Sequence, residues 1–147
     1  MARFFVANDH AGLGLKAPVV QHLLANQHEV IDLGTNTTAS CDYPEFARQV
    51  AAKVSAGEGL GILICGTGQG MAMAANRVPG VRAAVCADTF SAAATRLHND
   101  ANVLCLGERV VGVGLALAIV DAFVNARFEG GRHARRIALF DPPREQH

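Results

Sequence analysis

Short apolar runs recur along the chain as RFFVA (3–7), EVIDL (29–33), LGILIC (60–65), RAAVCA (82–87) and NVLCLG (102–107). Each is five or six residues long, rich in Val, Ile, Leu or Phe, and bounded by turn residues. That pattern predicts strands buried on both faces of a parallel sheet. The stretches between them repeat at helical spacing. Residues 13–26 carry Leu15, Val19, Val20, Leu23 and Leu24, and residues 44–56 open on Pro44 and align Phe46, Val50 and Val54 on one face. Shorter Ala-rich helices are predicted over 70–77 and 90–98.

Strand and helix alternate throughout, which predicts an α/β fold: a single Rossmann-like three-layer α/β/α domain with a five-stranded parallel sheet over residues 1–141. The segment GVGLALAIVDAFVNARF (112–128) is apolar nearly all round, so its helix needs cover on more than one side, part of it from a second subunit. A Gly-Gly break and a basic helical stretch follow in EGGRHARRIALF (129–140), and residues 142–147 are expected to form a flexible tail.

Composition narrows the function. The chain has 147 residues, half of them hydrophobic and 18% charged, which suits one compact domain. A formal net charge of zero points away from nucleic-acid and membrane surfaces, and no apolar run approaches the ~20 residues that span a bilayer. The start, MARFFVANDH, turns polar too early for a signal peptide. Of the four cysteines none forms a CxxC pair; Cys41, Cys86 and Cys105 are expected to act as small hydrophobes in a reduced, cytoplasmic protein.

Doubly wound sheets bind ligands beyond the carboxyl ends of their strands, so the chemistry is sought there. Asp9 and His10 follow the first strand. Asp9 suits sugar hydroxyls and His10 an anion or a proton, although an Asp at that point also caps helices. The third strand ends on Cys65 and runs into Gly66-Thr67-Gly68-Gln69-Gly70, a loop whose amides can cradle an oxyanion and favour a thiolate. Such loops also serve as plain packing joints. A dinucleotide fingerprint fails, because the spacing is G-x-G-x-G and Met71 holds its third glycine position. His98 and Asn99 stand just before the fifth strand and Arg109 just after it, where a lone His is commonly a surface or capping residue. Arg132 and Arg136 share one face of the last helix, a geometry for gripping phosphate, although such a basic run is more often a solvated face.

In order and spacing, NDHAG, DYP, ILICGTGQGMAMAANR, HNDANVLCLGERVVG and EGGRHARRI resemble the type B ribose-5-phosphate isomerase family, which includes galactose-6-phosphate isomerase subunits. The likeness covers about residues 3–138. It implies interconversion of ribose 5-phosphate and ribulose 5-phosphate, in pentose phosphate metabolism, through a cis-enediolate, with no metal and no organic cofactor. It assigns Cys65 as the base moving a proton between C2 and C1, with Thr67 and His98 assisting ring opening. Asp9, His10, Gly66, Gly68, Gln69, Gly70 and Asn99 would hold the sugar; Arg132 and Arg136, with Arg109 and His10, the phosphate. One branch uses a glutamate where this chain has Met71, which leaves Cys65 as the base. The family forms homodimers whose sites are shared, so Asn99, Arg109 and His98 would come from the neighbour; pairing of dimers into tetramers stays open. A six-carbon or an unusual or unphosphorylated sugar is the alternative within this chemistry. A non-catalytic nucleotide- or phosphate-binding module is the alternative outside it.

Overall fold

A computed structural model describes residues 1–143; the tail expected over 142–147 lies, from 144 onward, outside the described residues. The strands are β1 (Arg3–Asn8), β2 (Glu29–Asp32), β3 (Leu60–Cys65), β4 (Ala83–Val85) and β5 (Val103–Gly107). The helices are α1 (Leu13–Ala25), α2 (Tyr43–Ser55), α3 (Gln69–Ala75), α4 (Thr89–Asn99), α5 (Val113–Asn125) and α6 (Arg132–Ala138). All strand pairs are parallel, in the order β2-β1-β3-β5-β4. The α/β fold and its five-stranded sheet are as expected, with strand boundaries within a residue or two of the sequence reading and α5 ending three residues before its apolar segment does.

The two faces follow from handedness. Parallel crossovers are right-handed, so steps in opposite directions along the sheet place their helices on opposite faces. The steps β1→β2 and β4→β5 run one way and carry α1 and α4; β2→β3 and β3→β4 run the other way and carry α2 and α3. Alternation of side chains does the rest. Phe4, Val6, Ile62, Ile64, Leu104 and Leu106 point to the α1/α4/α5 face, and Phe5, Ala7, Leu63, Cys65, Val103 and Cys105 to the α2/α3 face.

The apolar segment after β5 forms α5, and its own chain covers more of it than the sequence suggested. Ala116, Ile119, Val120 and Phe123 are buried against α1 and α4. The large apolar side chains that it leaves in solvent lie at or just before its start, at Val110, Val113 and Leu115. Cys86 and Cys105 are core residues as expected. No described helix is long and apolar enough to cross a membrane.

Candidate active site

β1 and β3 lie side by side, but the chain leaves β1 toward one edge of the sheet and β3 toward the other. Their following segments diverge and open a crevice at the carboxyl edge. Asp9 and His10 enter it from β1, and Cys65 with its glycine loop from β3. The Asp9 amide donates to the Ile64 carbonyl at 3.2 Å, which ties the two strand ends together.

Cys65 is 5% exposed, and its Sγ accepts the Gly68 amide at 3.2 Å. The contact depends on a left-handed backbone at Gly68, φ 79°, which reverses the loop before α3 begins. Thr67 is exposed, and its Oγ1 accepts the Gln69 amide at 3.3 Å; Gln69 is also exposed. Gly70 touches the Tyr43 ring so closely that a Cβ there would stand 2.5 Å from the ring. The Glu108 amide donates to the Cys65 carbonyl at 2.9 Å and the Arg109 amide to the Gly66 carbonyl at 3.0 Å, so the end of β5 buttresses the loop. Arg109, which the resemblance draws from a neighbour, has its stem beside Gly66 of its own chain.

Asp9 does cap the turn that follows: Oδ1 accepts the Ala11 amide at 3.0 Å. It is 5% exposed and lines a cleft of about 460 Å³ with His10, Cys41, Asp42, Tyr43 and Pro44. His10 Nδ1 accepts the Cys41 amide at 3.3 Å. A neutral imidazole held that way carries its proton on Nε2, as a donor for a ligand oxygen. Cys41 is therefore not the core filler expected from sequence; it is half-buried at the rim, its Sγ 3.8 Å from His10 Nδ1. The loop behind it is stapled by Lys16, whose Nζ donates to the Thr35 carbonyl at 2.6 Å and to Asn36 Oδ1 at 2.7 Å. A larger cavity, about 610 Å³, lies between residues 76–81 and 140–143. It gathers none of the residues singled out by the sequence, so size does not locate the chemistry.

His98, Asn99, Arg132 and Arg136 do not join this cleft within one chain. α4 starts where β4 ends and returns across the sheet, so its last turn, with His98 and Asn99, sits at the amino edge. Eleven residues of helix span about 16 Å. Counting His98 among the strand-end groups is corrected by this return path. α6 lies at the same edge: the Glu129 amide donates to the Leu97 carbonyl at 3.1 Å, and Asp141 beyond the helix pairs with Arg82 at 2.7 Å. Arg132 and Arg136 are exposed on α6 as a pair one turn apart. The His98 ring stacks on His133 with centroids 4.5 Å apart. Sequence reasoning missed His133 and its neighbour Glu129, whose spacing of four was the available signal, and it gave Tyr43 no role.

Fold and site together define a small doubly wound α/β protein with a cleft lined by Asp9 and His10 at its switch point, beside the strand end that carries Cys65. The chain belongs to the ribose/galactose isomerase family: a sequence model of Ribose/Galactose Isomerase matches residues 4–140. It is 52% identical over 130 residues to ribose-5-phosphate isomerase B of Escherichia coli strain K12, covering 88% of this chain and 87% of that one. Among solved structures, Clostridium thermocellum ribose-5-phosphate isomerase B superposes with a TM-score of 0.93 at 50% identity, over 95% of each chain. The Mycoplasma genitalium enzyme, solved with bound ribulose-5-phosphate, superposes with a TM-score of 0.90 at 51% identity, over 93% of this chain and 92% of that one.

Proposed function

We propose that this protein is an aldose–ketose isomerase interconverting ribose 5-phosphate and ribulose 5-phosphate. The observation that carries the reading is Cys65, presented at the switch point under the Gly68 amide beside Asp9 and His10. The family membership supports sugar isomerase chemistry, and the relatives named for ribose 5-phosphate support the five-carbon substrate over a six-carbon one.

On this reading, with the residue roles that the family resemblance implies, the steps are these. The sugar ring opens as a proton is delivered to the ring oxygen by His98, with Thr67 assisting at the hydroxyl. The Cys65 thiolate then removes the proton from C2, the electron pair flows into a C1–C2 double bond, and the C1 oxygen becomes the enediolate oxygen. Loop amides other than those of Gly68 and Gln69, which are given to Cys65 Sγ and Thr67 Oγ1, stabilise that charge, a contribution of about 3–4 kcal/mol per well-aimed donor. Transfer of the C2 hydroxyl proton to the C1 oxygen re-forms the carbonyl at C2 as the Cys65 thiol returns its proton to C1, which gives the ketose and regenerates the thiolate. A positioned base of this kind contributes roughly 10²–10⁴-fold. Asp9 and Asn99 hold sugar hydroxyls. His10, Arg109, Arg132 and Arg136 grip the phosphate, far from C1 and C2, and so fix the reacting end. The scheme needs no metal and no organic cofactor.

The reading requires two subunits. A homodimer that sets the carboxyl edge of one chain against the amino edge of the other brings His98, Asn99, Arg132 and Arg136 to the neighbour's Cys65. The exposed apolar start of α5 supports a buried partner surface.

A coupled assay over five- and six-carbon sugars, with and without phosphate, tests the substrate. Highest kcat/KM on ribose 5-phosphate is expected. Absence of turnover on every sugar phosphate would leave a phosphate-binding module in its place.

A further inference from the structure

Three metal-binding side chains converge at the amino edge outside the Cys65 cleft. His98 Nε2 lies 3.9 Å and His133 Nε2 3.5 Å from the same oxygen, Glu129 Oε2, and the three donor atoms all lie within 4.8 Å of one another. We propose that His98, Glu129 and His133 form an inhibitory site for a divalent transition metal of the zinc class, which captures the proton donor of the reaction. The proposal rests on the isomerase reading for its effect on activity, though not for the binding itself.

The fold builds the cluster in advance. Glu129 and His133 are four residues apart across the turn into α6, and both face the last turn of α4, where His98 sits. The Glu129 amide is clamped to the Leu97 carbonyl, which holds its carboxylate beside the ring of the next residue. His133 is the fixed anchor, with a side chain 11% exposed. His98 and Glu129, at 46% and 52%, have room to close on an ion.

Distances and ligand types agree with the metal class. Tetrahedral zinc with bonds of 2.0–2.1 Å sets its ligand atoms about 3.3 Å apart, so the 3.5 Å and 3.9 Å separations from Glu129 need small movements, and the two histidine nitrogens, which lie within 4.8 Å of each other, close on the ion by rotation of the His98 ring. The stacked imidazoles, planes 19° apart, must splay for both nitrogen lone pairs to meet one ion, and the half-exposed His98 ring is free to turn. Two imidazoles and one carboxylate suit zinc, cobalt or nickel rather than magnesium or calcium. Three protein ligands leave the fourth position to water. Once bound, His98 Nε2 donates its lone pair to the metal and carries no proton, and the ring is held on the ion instead of turning to the sugar.

The test uses the full-length protein with zinc or cobalt as the probe, in wild type and in Glu129→Gln and His133→Asn. Calorimetry and the visible spectrum of bound cobalt read binding; ribose 5-phosphate turnover, with and without chelator, reads inhibition. One metal per chain is expected, with inhibition reversed by chelator. Each substitution should weaken both binding and inhibition by at least about tenfold, since even outer partners of a metal site are worth 10–100-fold in affinity. Metal-free turnover of both variants should remain. Failure of the wild type to bind metal would overturn the proposal. So would inhibition equally strong in both variants, which would assign the metal to Cys65 or Cys41. Binding without inhibition would remove the link to His98. A protein that binds metal in this variant-sensitive way but turns over no sugar would instead sink the isomerase reading.

Discussion

Cys65 and His98 stand at opposite edges of the sheet within one chain: Cys65 closes β3 at the carboxyl edge, and His98 lies in the last turn of α4 at the amino edge. A reaction that uses both residues therefore needs two chains, each giving half of each site. This relationship yields a prediction that no single-chain site shares. Cys65→Ala and His98→Ala should each be inactive alone. Unfolding and refolding them together in equal amounts should restore about one quarter of wild-type activity, because half the dimers are mixed and each mixed dimer of this isologous kind has one intact site. Activity that stays at the single-variant level after mixing, with mixed dimers verified by mass, would place both residues in one chain's site.

Gly68 is required by its backbone and by its amide at once. Alanine there is strained at φ 79° and brings its Cβ to 3.1 Å of the Leu106 backbone, so Gly68→Ala should destabilise the fold by roughly 1–2 kcal/mol and displace the amide on Cys65. Gly57→Ala is the control: φ is 78°, but no atom lies within 4 Å of the added methyl. Urea unfolding should show a loss in both variants, and turnover should fall only in Gly68→Ala. Equal turnover in the two would separate the amide from the chemistry.

Thiol reactivity should divide the cysteines by pH. Burial, reinforced by Asp88, pushes the Cys86 thiol up to about 11, and burial raises Cys105 as well. A raised thiol pKa means less thiolate, the reactive form; at about pH 8 Cys86 is about one part in a thousand ionised. Iodoacetamide at that pH should modify Cys41 at the cleft rim first and leave Cys86 and Cys105 unmodified until the pH nears the Cys86 value or the protein unfolds. Peptide mass spectrometry reads the order. Early labelling of Cys86 in the folded protein would contradict it.

The strands were legible in the sequence because each is a short buried run with its own punctuation, and the helices because Leu15–Leu23 and Val50–Val54 repeat at helical spacing. The sheet order was not, since placing β5 between β3 and β4 is decided by tertiary packing. The same gap misplaced His98: knowing that it precedes β5 does not say at which edge it lies until the path of α4 is drawn. Cys41 was misread for a related reason. Its neighbour His10 is 31 residues away in sequence, and only the folded β2–α2 loop brings the two together. Tyr43 was visible in the DYP motif, but its packing on Gly70 joins two segments that no local pattern connects.

The proposed reaction has Cys65 move the proton between C2 and C1, and exchange with solvent reads that transfer. In deuterium oxide the wild-type protein, given ribose 5-phosphate, should form ribulose 5-phosphate carrying deuterium at C1, read by proton NMR. Cys65→Ala should lose turnover and deuterium incorporation together, by at least about 10², while still binding ribulose 5-phosphate within a few-fold of wild type. Continued exchange at near wild-type rate in Cys65→Ala would show that another group carries the proton.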